Sequence, residues 1–241
     1  MNDNLIEFSA DKEYINLKKN LPKPIKLNIP DWYKKLEHNA DKPTIKGCVP
    51  FLDSLITGYV LELPQDFYLK INYLDKNEYK LKIKPSLEIT KFNLNTKQTM
   101  EAHSKNQIKG SSKIDKNLNF PIFKILNPWT IKTPPGYSCL FVPPLNNKDD
   151  RFEIISAIVN TDEYKNEINF PIVFNGDKYP IQDTILKQGT PYVQIIPFKR
   201  DRWEMSIKSS TTEDLAPKRN FYGLKLVDMY KNKYWNKKSW K

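Results

Sequence analysis

The clearest periodicity in the chain runs over residues 67–84, where apolar and polar side chains alternate with a period of two. Phe67, Leu69, Ile71 and Tyr73 fall on one face, with Tyr68, Lys70 and Asn72 on the other. Tyr79, Leu81 and Ile83 then alternate with Lys80, Lys82 and Lys84. Successive side chains of a strand point to opposite faces, so this pattern around the polar stretch Asp75-Lys76-Asn77-Glu78 predicts a β-hairpin with one wet, lysine-bearing face. Those lysines read first as a device that keeps a sheet face or edge in water.

Beyond residue 120 the apolar runs are short and separated by turn chemistry: NPWTIKTPPGYSCLFVPPL, RFEIISAIVNTDEY, EINFPIVFNGDKYP and GTPYVQIIPFKRDRW. With Pro134-Pro135-Gly136 and Asn175-Gly176-Asp177 as turns, this spacing predicts short antiparallel strands in a sandwich or barrel, a mainly β fold. Residues 1–45 form a predicted N-terminal arm, broken by Pro22, Pro24 and Pro30. Its one short helix is expected to be capped by Asp31 and to dock through Trp32, Tyr33 and Leu36. Residues 46–203 form the β domain, and the polar stretch 101–119 is a loop or a sub-domain boundary. Residues 204–241 read as a linker and tail, in which Leu224, Val227, Tyr230 and Tyr234 recur at helical spacing and predict a short C-terminal helix.

Composition supports the β reading, since 18 prolines against 7 glycines favour stiff, extended segments over long helices. The two cysteines, Cys48 and Cys139, fit no metal or redox spacing and read as free thiols. The chain opens without a basic and then apolar leader and has no apolar run long enough to span a bilayer, so an intracellular, soluble protein with no membrane partner is expected. Net charge is +11, and between Lys218 and Lys241 eight Lys or Arg face one Asp, so the tail holds about two thirds of the excess.

Chemistry is sparse. His38 and His103 are too few for a metal centre or a histidine triad, and no phosphate-binding glycine loop or zinc-protease motif occurs. No catalytic residue, metal site or cofactor is expected. Carboxylates gather at Asp149, Asp150 and Glu153, and again at Asp162, Glu163 and Glu167, where solvated acids also normally sit. Lys199, Arg200, Arg202 and Trp203 close the last apolar strand and offer an anion-binding rim or a plain basic strand end. In the tail, Tyr230, Tyr234, Trp235 and Trp240 interleave with Lys231, Lys233, Lys237 and Lys238. Cations attract phosphate and rings stack on bases or fill a partner's pockets, so a protein partner, self-assembly or single-stranded nucleic acid would suit this surface; packing of the rings on the chain's own body is the remaining alternative.

Three segments, TIKGCVPFLDSLITGYVLELPQDF, NPWTIKTPPGYSCLFVPPLNN and INFPIVFNGD with GTPYVQIIPFKRDRW, resemble an uncharacterised protein family of tailed, marine bacteriophages. The resemblance implies a phage protein made in the host bacterial cytoplasm, with a place in the virion as one outcome. It implies no activity. The second half also resembles the β-fold of trimeric dUTP pyrophosphatases and dCTP deaminases, in TPPGYSCLFVPPLNN, AIVNTDEYKNEI and GTPYVQIIPF. That likeness implies an oligomer and a nucleotide-binding region at Asn160, Asp162 and Gln194. Asn160 stands where that family has its water-activating Asp, and Pro144-Leu145-Asn146-Asn147 replaces its phosphate-binding segment, so the implied pocket binds without hydrolysing. The functional expectation is thus a non-enzymatic phage protein acting by binding, with nucleotide binding or nucleic-acid binding through the tail as alternatives.

Overall fold

The computed structural model describes residues 4–16, 18–39, 41–73, 79–85, 100–117, 120–147, 149–210 and 229–241. The fold is mainly β, as the sequence pattern predicts, and every pairing among the described residues is antiparallel. The order of elements is β1 (Glu7–Ser9), α1 (Lys12–Asn16), β2 (Lys23–Pro24), α2 (Asp31–Lys35), α3 (Val49–Ile56), β3 (Tyr59–Glu62), β4 (Phe67–Tyr73), β5 (Tyr79–Pro85), β6 (Met100–His103), α4 (Lys113–Lys116), β7 (Ile122–Ile125), β8 (Thr130–Lys132), β9 (Tyr137–Val142), β10 (Phe152–Ile154), β11 (Ala157–Val159), β12 (Phe170–Phe174), β13 (Gln182–Leu186), β14 (Pro191–Lys199) and α5 (Met229–Lys233).

Among the described residues four sheets result, ordered β11-β9-β14-β3-β2, β10-β12-β7-β6, β13-β4-β5 and β1-β8, and none closes into a barrel. The two larger sheets meet through aromatic rings. Phe141 of β9 lies 5.5 Å from Phe170 of β12, which in turn meets Tyr192 of β14 at 5.7 Å. One core cluster runs from these rings to Phe67, Leu69 and Ile71 of β4, so strands on both sides of residues 101–119 share it.

The hairpin has the expected register, with Leu69 opposite Ile83 and Ile71 opposite Leu81. Phe67, Leu69 and Ile71 are fully buried. Its turn, residues 75–78, lies outside the described residues. On the wet face Lys70 sits directly opposite Lys82, and Asp183 of β13 relieves that repulsion through an ion pair at 2.7 Å. The stretch 101–119 differs from expectation: it contributes edge strand β6, a 3-10 turn at Lys105–Ile108 and α4. Its polar composition suits an edge strand, whose outer side faces water.

The arm lies on the body. β1 pairs with β8 and β2 with β3, and Tyr14 of α1 meets the buried Trp129 edge-on. In α2 the capping position belongs to Pro30 rather than Asp31. Asp31 stands in the first turn, where its negative charge suits the helix start, and pairs with Lys34 at 3.3 Å. Trp32 and Tyr33 dock, as expected, by ring contacts with Phe51 of α3.

Two glycines fix the path of the chain. Pro135-Gly136 makes a turn closed by Tyr137 N to Pro134 O at 3.2 Å, and Gly136 takes the positive φ that its third position demands. Gly58 ends α3 at φ +81° and lies so close to β14 that a Cβ would stand 2.0 Å from the carbonyl oxygen of Ile195.

Candidate functional site

Arg200, the residue after β14, swings onto the turn that follows β11. Its guanidinium reaches Asp162 Oδ1 at 2.8 Å and Oδ2 at 2.5 Å, Ser138 Oγ at 3.0 Å and the carbonyl of Tyr137 at 2.8 Å. Asp162 Oδ2 also accepts the amide of Gly136 at 2.8 Å, and its side chain is only 7% exposed. Asn160 joins through Ser138, whose hydroxyl donates to Asn160 Oδ1 at 2.9 Å. The Arg200 hydrogen bonds, aided by the Gly136 amide, hold the Asp162 carboxyl down at about 2. Three of the six candidate anion-binding residues therefore meet, but as a satisfied network that fixes β11 to β14, since Arg200 spends its charge on Asp162.

The other three lie apart. Lys199 pairs with Asp201 at 3.4 Å, and Arg202 is exposed. Gln194 is fully buried on β14, where Oε1 accepts the amide of Leu145 at 2.9 Å and Nε2 donates to the carbonyls of Ser54 at 3.1 Å and Thr57 at 2.8 Å. It ties the end of α3 and the Pro144–Asn147 turn to the sheet. Asn146 of that turn donates to Ser54 Oγ at 2.9 Å. The amide of Leu145 thus faces the protein's own acceptor rather than an open anion site.

The cluster Asp149, Asp150 and Glu153 is paired in the same way, whereas Glu163 and Glu167 of the second cluster are exposed. Asp149 meets Arg151 at 2.7 Å, Asp150 meets Lys178 at 2.5 Å and the Tyr179 hydroxyl at 2.7 Å, and Glu153 meets Lys113 and, at 3.3 Å, Lys116. Burial raises the pKa values of Asp149 and Glu153, yet their cationic partners outweigh it and hold both below the ordinary range. Asp149, Asp150 and Arg151 border an open groove of about 610 Å³ with Tyr179 and Gly189. No group of three or more His, Cys, Asp or Glu among the described residues could hold a metal ion, and no helix there is long and apolar enough to cross a membrane. Cys48 and Cys139 are free, and burial pushes the Cys139 thiol up to about 11.

The tail divides. Trp235 Nε1 donates to both oxygens of Asp53 on α3, at 3.1 and 3.2 Å, and Lys238 reaches the same carboxylate at 2.5 Å. Trp240 meets Tyr59 edge-on at 5.9 Å, and the Tyr59 hydroxyl donates to the carbonyl of Lys241 at 3.3 Å. Trp235, Lys238 and Trp240 are thereby docked on the body, whereas Tyr230, Lys231, Lys233, Tyr234 and Lys237 face outward. Tyr230 on α5 and Tyr234, the residue that follows the helix, form a ring pair at 6.3 Å. The predicted helix is present at Met229–Lys233, while Leu224 and Val227 lie outside the described residues.

A further surface escapes the sequence expectations. Residues 202–210 carry no helix, strand or turn, and among the described residues they make no hydrogen bond, ion pair or ring contact. Within this segment Trp203, Met205 and Ile207 are 89%, 88% and 87% exposed. The signal was available, because these three residues alternate with Arg202, Glu204, Ser206 and Lys208 at the period of a strand. The polar run that follows disguises it as a linker. No protein-family model matches the chain, and no curated protein is similar enough to it to count as a match.

Proposed function

We propose that this chain is a non-enzymatic bacteriophage protein that acts by binding, with residues 202–208 as its binding element. The observation that carries this reading is the exposure of Trp203, Met205 and Ile207 on a segment that makes no hydrogen bond, ion pair or ring contact among the described residues. Three large side chains left in water forgo about 1.5–3 kcal/mol each, a cost that a bound partner removes. The pairing of Asp162 with Arg200 and of the Asp149, Asp150 and Glu153 cluster with basic partners supports a non-enzymatic role, since general acids and bases need an available proton site. The likeness of three segments to a tailed-phage family supports the biological setting.

The test is a phage whose gene carries Trp203→Ser, Met205→Ser and Ile207→Ser together. The purified variant keeps the wild-type circular dichroism, because the three side chains are almost fully exposed, while the yield of infectious particles falls at least tenfold. An unchanged yield overturns the reading. Mass spectrometry of purified virions then separates a structural role, with the protein present, from binding inside the infected cell.

A further inference from the structure

The binding element just proposed has a matching surface on the same molecule. We propose that residues 202–208 add as a strand to the open edge of β11 in a second copy of this chain, an inference that rests on the reading of that segment as the binding element.

β11 is an outer strand of the five-stranded sheet and, among the described residues, pairs only with β9. Exposed strand edges are ordinarily guarded by charge, proline or bulges. Every other edge strand among the described residues carries such a guard: Lys80, Lys82 and Lys84 on β5, Lys23 and Pro24 on β2, Asp183 on β13, Glu101 on β6 and Glu153 on β10. The two-stranded sheet carries Glu7 and Lys132. β11, with Ala157, Ile158 and Val159, carries none.

Its apolar surface also stops abruptly. Ile158 is opposite Leu140 of β9, and Leu140 is opposite Ile196 of β14, so an apolar row crosses three strands and ends at Ile158, which is 62% exposed. An added antiparallel strand with Met205 opposite Ile158 lengthens this row by one residue. The same register sets Trp203 beside Asn160 and brings Arg202 to the turn that holds the exposed Glu163. Main-chain hydrogen bonds from the edge would satisfy the amides of residues 202–208, and the alternating side chains would set the register.

Each copy thus carries both halves of the contact, an exposed segment with one apolar face and an unguarded apolar edge. The copy's own edge is not where its strand goes: Arg200 is fixed beside that edge by Asp162, yet Trp203, Met205 and Ile207 lie in solvent. The contact joins unlike surfaces, so it closes either by reciprocal exchange between two copies or as a ring.

Light scattering on size-fractionated protein tests this with three forms of the full chain: wild type, the Trp203→Ser, Met205→Ser, Ile207→Ser variant, and Ile158→Lys. The wild type is expected at a multiple of the monomer mass. Both variants are expected at the monomer mass with unchanged circular dichroism. The triple variant keeps its edge and Ile158→Lys keeps its strand, so mixing them restores a one-to-one dimer. A wild type that stays monomeric at all working concentrations overturns the inference, as does a triple variant that still associates. In the monomeric case a loss of infectious yield from the triple variant leaves the binding reading standing with a different protein as partner, whereas unchanged yield removes both.

Discussion

At the scale of single residues, buried polar side chains do the joining that the apolar core cannot. Gln194 satisfies one amide and two carbonyls from segments that lie 49 and up to 140 positions away in the chain. Replacing it by Leu keeps the volume but orphans all three groups, each costing about 1–3 kcal/mol when buried without a partner. Gln194→Leu is therefore expected to lose about 3 kcal/mol, a fall of about 6–12 °C in melting temperature by differential scanning calorimetry. A nucleotide-binding role alone would leave the melting temperature of the ligand-free protein unchanged. Gln194 stood out in the sequence only through its resemblance to a nucleotide-binding strand. Its partners were not legible there, because strand periodicity says which face a side chain takes and nothing about which distant backbone covers that face. Asn117 escaped notice for the same reason. It is fully buried, donating to the carbonyl of Phe120 and accepting the amide of Phe174.

At the scale of elements, legibility followed the strength of the local pattern. The hairpin β4-β5 could be read from strict alternation over seven-residue strands, and the turn at Pro135-Gly136 from a glycine that takes a positive φ. Three-residue strands such as β10 and β11 carry too few positions for a period to emerge, so their pairing is decided by neighbours far along the chain. The tail shows the same division. Its charge was legible, but the acceptor that holds Trp235 and Lys238 is a single carboxylate, Asp53, from 182 and 185 positions earlier. Asp53→Ala removes both contacts at once and leaves α3 otherwise intact, since Ala is a good helix former. Faster amide exchange across residues 229–241, with rates in β9 and β14 unchanged, is the expected result by hydrogen-exchange mass spectrometry. Unaltered exchange in the tail would mean that the Trp240 ring against Tyr59 holds it alone.

At the scale of the whole molecule, a chain with a net charge of +11 is held together in part by carboxylates spread among its excess cations. Asp66, Glu101, Asp149, Asp150, Glu153, Asp162 and Asp183 all lie below their ordinary pKa values in the folded state. The causes differ: for Asp66 the amide of Gln188 leads, for Asp150, Asp162 and Asp183 a basic side chain, and for Asp149 and Glu153 basic partners outweigh the effect of burial. A depressed carboxyl binds its proton less readily when folded than when unfolded, so each contributes stability above the unfolded value near 4 that is lost as pH falls through the folded one. Protonation also adds to a charge that is already positive, which raises self-repulsion in the compact state. The melting temperature should hold near neutral pH and decline continuously from about pH 5 towards pH 2. Asp162, held down chiefly by the Arg200 hydrogen bonds, keeps its charge until the pH falls to about 2. Asp162→Asn keeps the shape and cannot ionise, so it should melt below the wild type at neutral pH, with the gap closing as the pH approaches about 2. A gap that stays constant across calorimetric melts over this range would show that the Arg200 ion pair adds nothing to the fold, and that β11 is fixed to β14 by the neutral contacts of Ser138, Asn160 and the Gly136 turn.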